Sequence, residues 1–166
     1  MEKVHMRPAV AEDVRALAQL KHAYVQSLYK GFLPMEMLRS LSAESYVEQL
    51  ADWLDGQTYS IDLWEENDTP HAFIVFGEDA ENPGCGLIYE GCCELTASLE
   101  TRRELLYHVL DKLHERGCTQ VHMWIMRDNF RVRFIFESMG FRPDGERRTV
   151  TEYGQELLLT HYVYQW

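Results

Sequence analysis

"NFRVRFIFESMGF", Asn129 to Phe141, is the most informative stretch of the chain. Its apolar residues recur at helical spacing, and the segment leaves its helix through Gly140-Phe141. Asn129 and Phe136 stand two turns apart on what should be one face. Asp128 is the expected N-cap and Gly140 the expected C-cap. Such a helix is either the packed end of a core or one wall of a groove, and its surroundings must decide.

Upstream of it, "TQVHMWIM" reads as a central strand and "SLETRRELLYHVLDKLHERG" as a long helix. In that helix Leu99, Leu106, Val109, Leu110 and Leu113 share a face, and Gly117 is the stop. Its start is Ser98 or Thr101, since Thr101 and Glu104 have capping-box spacing. Before it, "TYSIDLWEE" alternates, "NDTP" is a turn, "HAFIVFGED" is a buried run, "AENPGCG" is a loop and "GLIYEGCCE" is another strand. The chain opens with "KVHMRPA", an edge strand ending at Pro8. "AEDVRALAQLKHAYVQSLY" follows as a helix with Val14, Leu17, Leu20 and Tyr24 in a stripe and Glu12 and Asp13 at its positive end. Gly31 and Pro34 break it. "SAESYVEQLADWLDG" is a second helix, capped by Ser42, striped by Val47, Leu50 and Leu54, and ended by Gly56. Downstream, "ERRTVTEYG" and "QELLLTHYVYQW" form a closing hairpin, and Leu and Tyr alternate along its second arm, which invites dimerisation through that edge. The order β-α-α-β-β-β-α-β-α-β-β gives one α/β domain, residues 1–166, a mixed sheet of about seven strands with about four helices on its faces.

The bulk numbers narrow the function. The 166 residues suit one domain with a real core, at 46% hydrophobic and 26% charged. A formal net charge of −11 argues against nucleic acid as a partner, because phosphate backbones need a basic surface. It leaves room for one small anionic ligand held by a local positive field, and for a cationic acceptor. No apolar run approaches the ~18 residues of a membrane span, and "MEKVHMRPAV" has no signal-peptide core. A cytoplasmic protein is the default expectation. The four cysteines, Cys85, Cys92, Cys93 and Cys118, form no Cys-x-x-Cys pair and read as buried hydrophobes. The seven histidines show no metal spacing, so no metal site is expected.

With these elements in order, the chain resembles the GNAT superfamily of acyl-CoA N-acyltransferases along its whole length. "VHMRPAVAEDVRALAQLKHAYVQSLYKGFLP" is similar to that family's first strand, helical entry and acceptor-side loop. "LHERGCTQVHMWIM" is similar to its central helix and fifth strand. "RDNFRVRFIFESMGFRPDGE" carries the most specific match: Asn129, Phe136-Glu137, Gly140-Phe141 and Pro143 at the family's spacing. The resemblance implies a splayed sheet whose fourth and fifth strands part to admit acetyl-CoA. It implies that pantetheine pairs with the backbone around Cys92 and Cys93, beside Asn129 and Phe136. Pyrophosphate would sit at the next helix start, near Ser98, Thr101, Arg102 and Arg103, where free N–H groups and the helix dipole favour an anion.

Three departures stand out. The family's phosphate loop, Arg/Gln-x-x-Gly-x-Gly/Ala, falls on "ASLETR", Ala97 to Arg102, where Glu100 and Arg102 replace the glycines that let backbone approach phosphate closely. Phe136 stands where the family commonly has a tyrosine that protonates the leaving thiolate. The family's glutamate-type base falls at Gly86, and the nearest replacements are Glu90 and Tyr89, expected on opposite faces of their strand. Two functions remain open. One is an N-acetyltransferase in which a small-molecule or protein amine attacks acetyl-CoA directly, helped by Glu90 or Tyr89. The other is a catalytically degenerate domain of the same fold that binds a ligand or a protein.

Overall fold

A computed structural model describes residues 4–166. The first strand's expected start at Lys3 lies outside the described residues. The elements run β1 (Val4–Pro8), a 3-10 turn (Ala11–Asp13), α1 (Val14–Leu28), α2 (Met35–Ser40), α3 (Glu44–Gly56), β2 (Ser60–Glu66), β3 (Thr69–Glu78), β4 (Cys85–Cys93), α4 (Leu99–Glu115), β5 (Gln120–Met126), α5 (Phe130–Ser138), β6 (Arg142–Glu152) and β7 (Gln155–Gln165). All seven strands join one sheet in the order β1-β2-β3-β4-β5-β7-β6. Its pairs are antiparallel except β4 with β5. The mixed α/β sheet expected from the sequence is the one observed.

Helices cover both faces. On one side α4 and α5 bury Val109, Leu110, Leu113 and Phe136 against Ile74, Phe76, Ile88, Val121 and Tyr162. On the other, α1 and α3 bury Leu17 and Leu50 against Leu63, Phe73, Val75 and Cys92. Adjacent strand residues, Phe73 and Ile74 or Val75 and Phe76, go to opposite cores, as a period-2 strand covered on both faces requires. The "NDTP" turn is a tight hairpin with Asn67 and Asp68 both at positive φ, 50° and 63°, the conformation that two-residue hairpin loops favour.

Local details differ from the sequence reading. Pro34 does more than break a helix: it precedes the six-residue α2, whose Leu38 is buried, because proline suits a helix start. Ser42 is not the cap of α3, which begins at Glu44 with Ala43 in the capping position and no side-chain cap bond. Leu99 opens α4 and stays 37% exposed, while Leu105 takes a core place. The cap of α5 is Asn129, not Asp128, with its side-chain oxygen accepting from the Val132 N–H at 3.3 Å. β7 is not an edge, since β5 and β6 pair with its two sides. The free edge beside it is β6, an almost wholly exposed strand carrying Arg142, Glu146, Arg147, Arg148 and Glu152, and charge of this kind blunts edge-to-edge pairing.

Gly86 shows why the family's acidic position cannot be acidic here. A Cβ on Gly86 would lie 2.8 Å from Leu113 Cδ1 and 3.2 Å from Val121 Cγ2, and both neighbours are fully buried. α4 packs onto β4 through that gap. Gly86→Val is expected to lose about 1–3 kcal/mol by overpacking, read as an earlier urea midpoint at unchanged slope; an unchanged midpoint would show that the contact has slack.

Candidate functional site

β4 and β5 pair only at Cys85/Gln120, Gly86/Val121 and Leu87/His122. Beyond these residues the strands part and enclose a cleft of about 610 Å³ that runs between the two helical layers. From Ile88 to Cys93, β4 has β3 as its only strand partner among the described residues. Its N–H and C=O groups on the cleft side are therefore an open edge, ready to pair with an extended ligand.

The register slips inside this edge. Val75 faces Glu90, but Phe76 faces Ile88, so Tyr89 is an extra residue in β4. This β-bulge cancels the alternation on which the sequence reading relied. Ile88 lies in the α4 core, whereas Glu90 bonds Lys21 of α1 and Tyr89 packs on Trp53 of α3. Tyr89 and Glu90 thus share one face, a correction to the expectation that they diverge. Both line the cleft.

On that face the structure gathers a box of polar groups and rings. Lys21 is 6% exposed. Its Nζ reaches Glu90 at 2.9 and 3.0 Å and Gln49 Oε1 at 2.7 Å, and lies over the Tyr46 and Trp53 rings at 4.9 and 5.3 Å. Burial pushes the Glu90 carboxyl above its usual range, and Lys21 partly offsets this. Tyr89 stacks against Tyr59 and Trp53 at 4.9 and 5.3 Å. Opposite, the Tyr29 hydroxyl donates to Glu152 Oε2 at 2.7 Å, and the Tyr46 and Tyr153 hydroxyls meet at 3.0 Å. Burial first, then the hydrogen bond to Glu152, raises the Tyr29 hydroxyl far beyond its ordinary value.

The other face of the cleft leads to the start of α4. Ser98 caps that helix, accepting from the Thr101 N–H at 3.1 Å, and the two hydroxyls meet at 3.0 Å. The capped first turn still carries the unpaired amide donors that make a helix start attractive to anions. Arg102 folds back to donate to the carbonyls of Ala97 and Glu94, both at 3.2 Å. It tethers the loop and also lines the cleft. Arg103 turns away to Ser138 Oγ at 3.2 Å. Asn129 and Phe136 both line the cleft, with Phe136 buried edge-to-face on Phe141. Cys92 is buried on the α1 side, whereas Cys93 lines the cleft. Burial raises both thiols, Cys92 most, which disfavours a nucleophilic thiolate at either.

Sequence reasoning missed Lys21, Tyr24 and Glu152. Lys21 lies within the first expected helix and Glu152 within the closing hairpin, and no local pattern marks either. Tyr24 was placed in a core stripe, yet its hydroxyl meets the Asn129 side chain, and burial, then the nearby Cys92, raises it well above its usual value. Among the described residues, the one His/Cys/Asp/Glu group with donor atoms close enough to share an ion is Asp144, Glu146 and His161, within 4.8 Å. There, His161 Nδ1 and Asp144 are already hydrogen-bonded to each other at 2.6 Å. No helix among the described residues is long and apolar enough to cross a membrane.

Breaking the buried pair from one side leaves a charge without a partner. Lys21→Met is expected to cost about 3–5 kcal/mol, with most of the loss recovered in Lys21→Met/Glu90→Gln. The single variant also carries a pH signature. A carboxyl raised on folding binds its proton more tightly in the folded state, so stability falls as pH climbs above the ordinary value of 4.5. Lys21→Met should steepen that fall in chemical denaturation, and a double variant no more stable than the single would refute the pairing.

No protein-family model matches the sequence, and no curated protein matches it. Solved structures do match in shape. The PaiA N-acetyltransferase of Thermoplasma acidophilum, in complex with coenzyme A, superposes with a TM-score of 0.74 at 14% identity over 99% of both chains. The ribosomal-protein-alanine N-acetyltransferase of Brucella melitensis gives 0.74 at 16% identity over 98% of this chain and 99% of its own. The ribosomal-protein-S18-alanine N-acetyltransferase of Escherichia coli gives 0.70 at 16% identity over 98% and 94%. At such identities the likeness is one of fold, and the fold is that of the GNAT acetyltransferases.

Proposed function

We propose that this GNAT-fold chain is an N-acetyltransferase that moves an acetyl group from acetyl-CoA to a primary amine on a cationic acceptor. The parting of β4 and β5 after Leu87/His122 carries the reading, because it leaves an open strand edge along a cleft with two distinct faces. Neighbours of the same fold include an N-acetyltransferase in complex with coenzyme A.

In this reading the pantetheine amides pair with β4 from Ile88 to Cys93, and the pyrophosphate meets the start of α4. Ser98, Thr101 and Arg102 favour it there, and Glu100 opposes it. The backbone at the Tyr89 bulge polarises the thioester carbonyl, as an oxyanion site does. The amine attacks that carbonyl directly, and the shared cleft supplies proximity. Phe136 has no proton for the departing thiolate. Tyr24 does, and it lines the cleft beside Asn129, within reach of the departing sulfur. The acceptor meets Glu78, Asp79, Glu81, Glu90 and Glu152 along the lining, with the rings of Tyr59, Tyr89 and Trp124 between them. Carboxylates and aromatic faces together suit an alkylammonium group. Glu90, already clamped by Lys21, anchors that charge, and Tyr89 offers its ring face. A degenerate module that only binds ligand is favoured by one feature, Glu100 in place of a loop glycine.

Acetyl-CoA at ~100 times its dissociation constant adds about 2.7 kcal/mol, so melting is expected to rise by roughly 5–10 °C for a chain of this size. Thiol release with tyramine or cadaverine as probe should accompany it. Tyr24→Phe should keep the melting shift and lower turnover about 10²- to 10⁴-fold. A shift without thiol release would favour the binding module, and no shift at millimolar acetyl-CoA would sink the acetyl-CoA reading altogether.

A further inference from the structure

Four side chains form a continuous hydrogen-bonded chain from the cleft to the surface. His122 Nε2 lies 2.7 Å from Asp79 Oδ2, His122 Nδ1 lies 3.0 Å from His161 Nε2, and His161 Nδ1 lies 2.6 Å from Asp144 Oδ2. Asp79 and His122 line the cleft. At the far end the Asp144 side chain is 37% exposed and that of Glu146, 3.8 Å from His161 Nδ1, is 68% exposed.

The fold builds this chain from three strands, β5, β6 and β7, and from Asp79 in the loop that follows β3. His122 is the last β5 residue paired with β4. It alternates with Val121, which is buried under α4, so it points to the face of Tyr89 and Glu90. His161 alternates in the same way with the buried Tyr162 of β7. An irregularity in β6 between Pro143 and Arg147, with Gly145 at φ 93°, sets Asp144 and Glu146 over His161. Trp124 packs on the His161 ring at 4.6 Å, and the Arg148 guanidinium lies over the same indole, also at 4.6 Å. The charged groups facing the two rings are therefore Asp79, Asp144 and Glu146, and Arg148 lies on the neighbouring Trp124 indole.

Three hydrogen bonds need three protons. Two neutral imidazoles carry two, and ionised carboxylates carry none. Burial raises Asp79, but hydrogen bonds from Asn82, the Glu81 N–H and His122 outweigh it and hold the carboxyl below its ordinary value. Asp144 is likewise lowered, with burial outweighed by the Glu146 N–H and His161. With both ends ionised, two neutral rings leave one of the three contacts without a proton. The chain thus has a place for one additional proton, which every member helps to hold.

We propose that Asp79, His122, His161 and Asp144 are the proton acceptor of acyl transfer, taking the proton that the ammonium must lose before it attacks. The proposal rests on the N-acetyltransferase reading. The acceptor enters as R–NH₃⁺ and gives one proton to the Asp79–His122 end, filling the third hydrogen bond. The freed nitrogen lone pair forms the C–N bond. The C–S bond breaks with its electrons on sulfur, the thiolate takes the Tyr24 proton and leaves as CoA-SH, and the amine's second proton restores Tyr24. The chain then releases one proton to water at Asp144.

His161→Gln tests this, because His161 is absent from the cleft lining while holding the middle of the chain. In the wild-type protein, imidazole nitrogen NMR should show one proton shared between the rings and lost in a single coupled step. In His161→Gln the acetyl-CoA melting shift should persist. Its kcat/KM with tyramine should fall about 10²- to 10⁴-fold near neutrality and recover as rising pH supplies free amine. Two rings titrating independently would overturn the proposal, as would a variant whose pH profile superposes on the wild type. A wild-type protein that shows no acetyl-CoA shift would instead overturn the reading beneath it, so the two failures are distinct.

Discussion

β4 and β5 are the sheet's one parallel pair, and they stay together for only Cys85–Leu87 and Gln120–His122. Parallel strands need a crossover, and α4 supplies it, packing so closely that β4 has room for nothing larger than Gly86 against Leu113. That contact fixes the closed end of the sheet. One step further, the extra residue at Tyr89 twists β4 away, and the strands never meet again. The open β4 edge, the approach to the start of α4 and the polar face toward α1 all follow from this one divergence.

The divergence also explains why so many charged groups lie inside a small domain. A cleft between two helical layers exposes polar residues to one another before it exposes them to water. Lys21 is the clearest case: it is almost fully buried, and its ammonium is held by Glu90, Gln49 and two aromatic rings. Buried pairs contribute little net stability once desolvation is counted, so their value lies in fixing geometry. Here Lys21 locks the carboxylate of Glu90 beside the Tyr89 bulge. Arg102 fixes position in the same way at the other mouth, where it ties the Glu94–Ala97 carbonyls and shapes a loop that has lost its glycines.

Much of the fold was legible because it rests on periodicity. Helix stripes, alternating strands and the "NDTP" turn gave the element order, and Asn129 through Pro143 gave the resemblance. What stayed hidden has specific causes. A bulge adds one residue and leaves the alternation of "GLIYEGCC" looking intact, so Tyr89 and Glu90 were assigned to opposite faces. Asp128 and Asn129 are adjacent and both cap well, and only the backbone decides between them. The six residues of α2 are too few for a helical stripe. His122 and His161 are 39 residues apart, and nothing local marks either as the partner of the other. Their meeting depends on β7 lying between β5 and β6, which the hairpin pattern alone did not reveal. Tyr24 is similar: its stripe predicted packing, and only the fold brings it to Asn129.

The proposed function places acetyl-CoA in the gap between β4 and β5. Amide hydrogen exchange with and without acetyl-CoA tests it most directly, because the cleft-side amides of β4 lack a strand partner and should exchange readily in the free protein. Ligand-induced protection is expected to concentrate in Ile88–Cys93 and the first turn of α4, with β1, β2 and α3 unchanged. Protection confined to any other surface, or none at saturating acetyl-CoA, would contradict it.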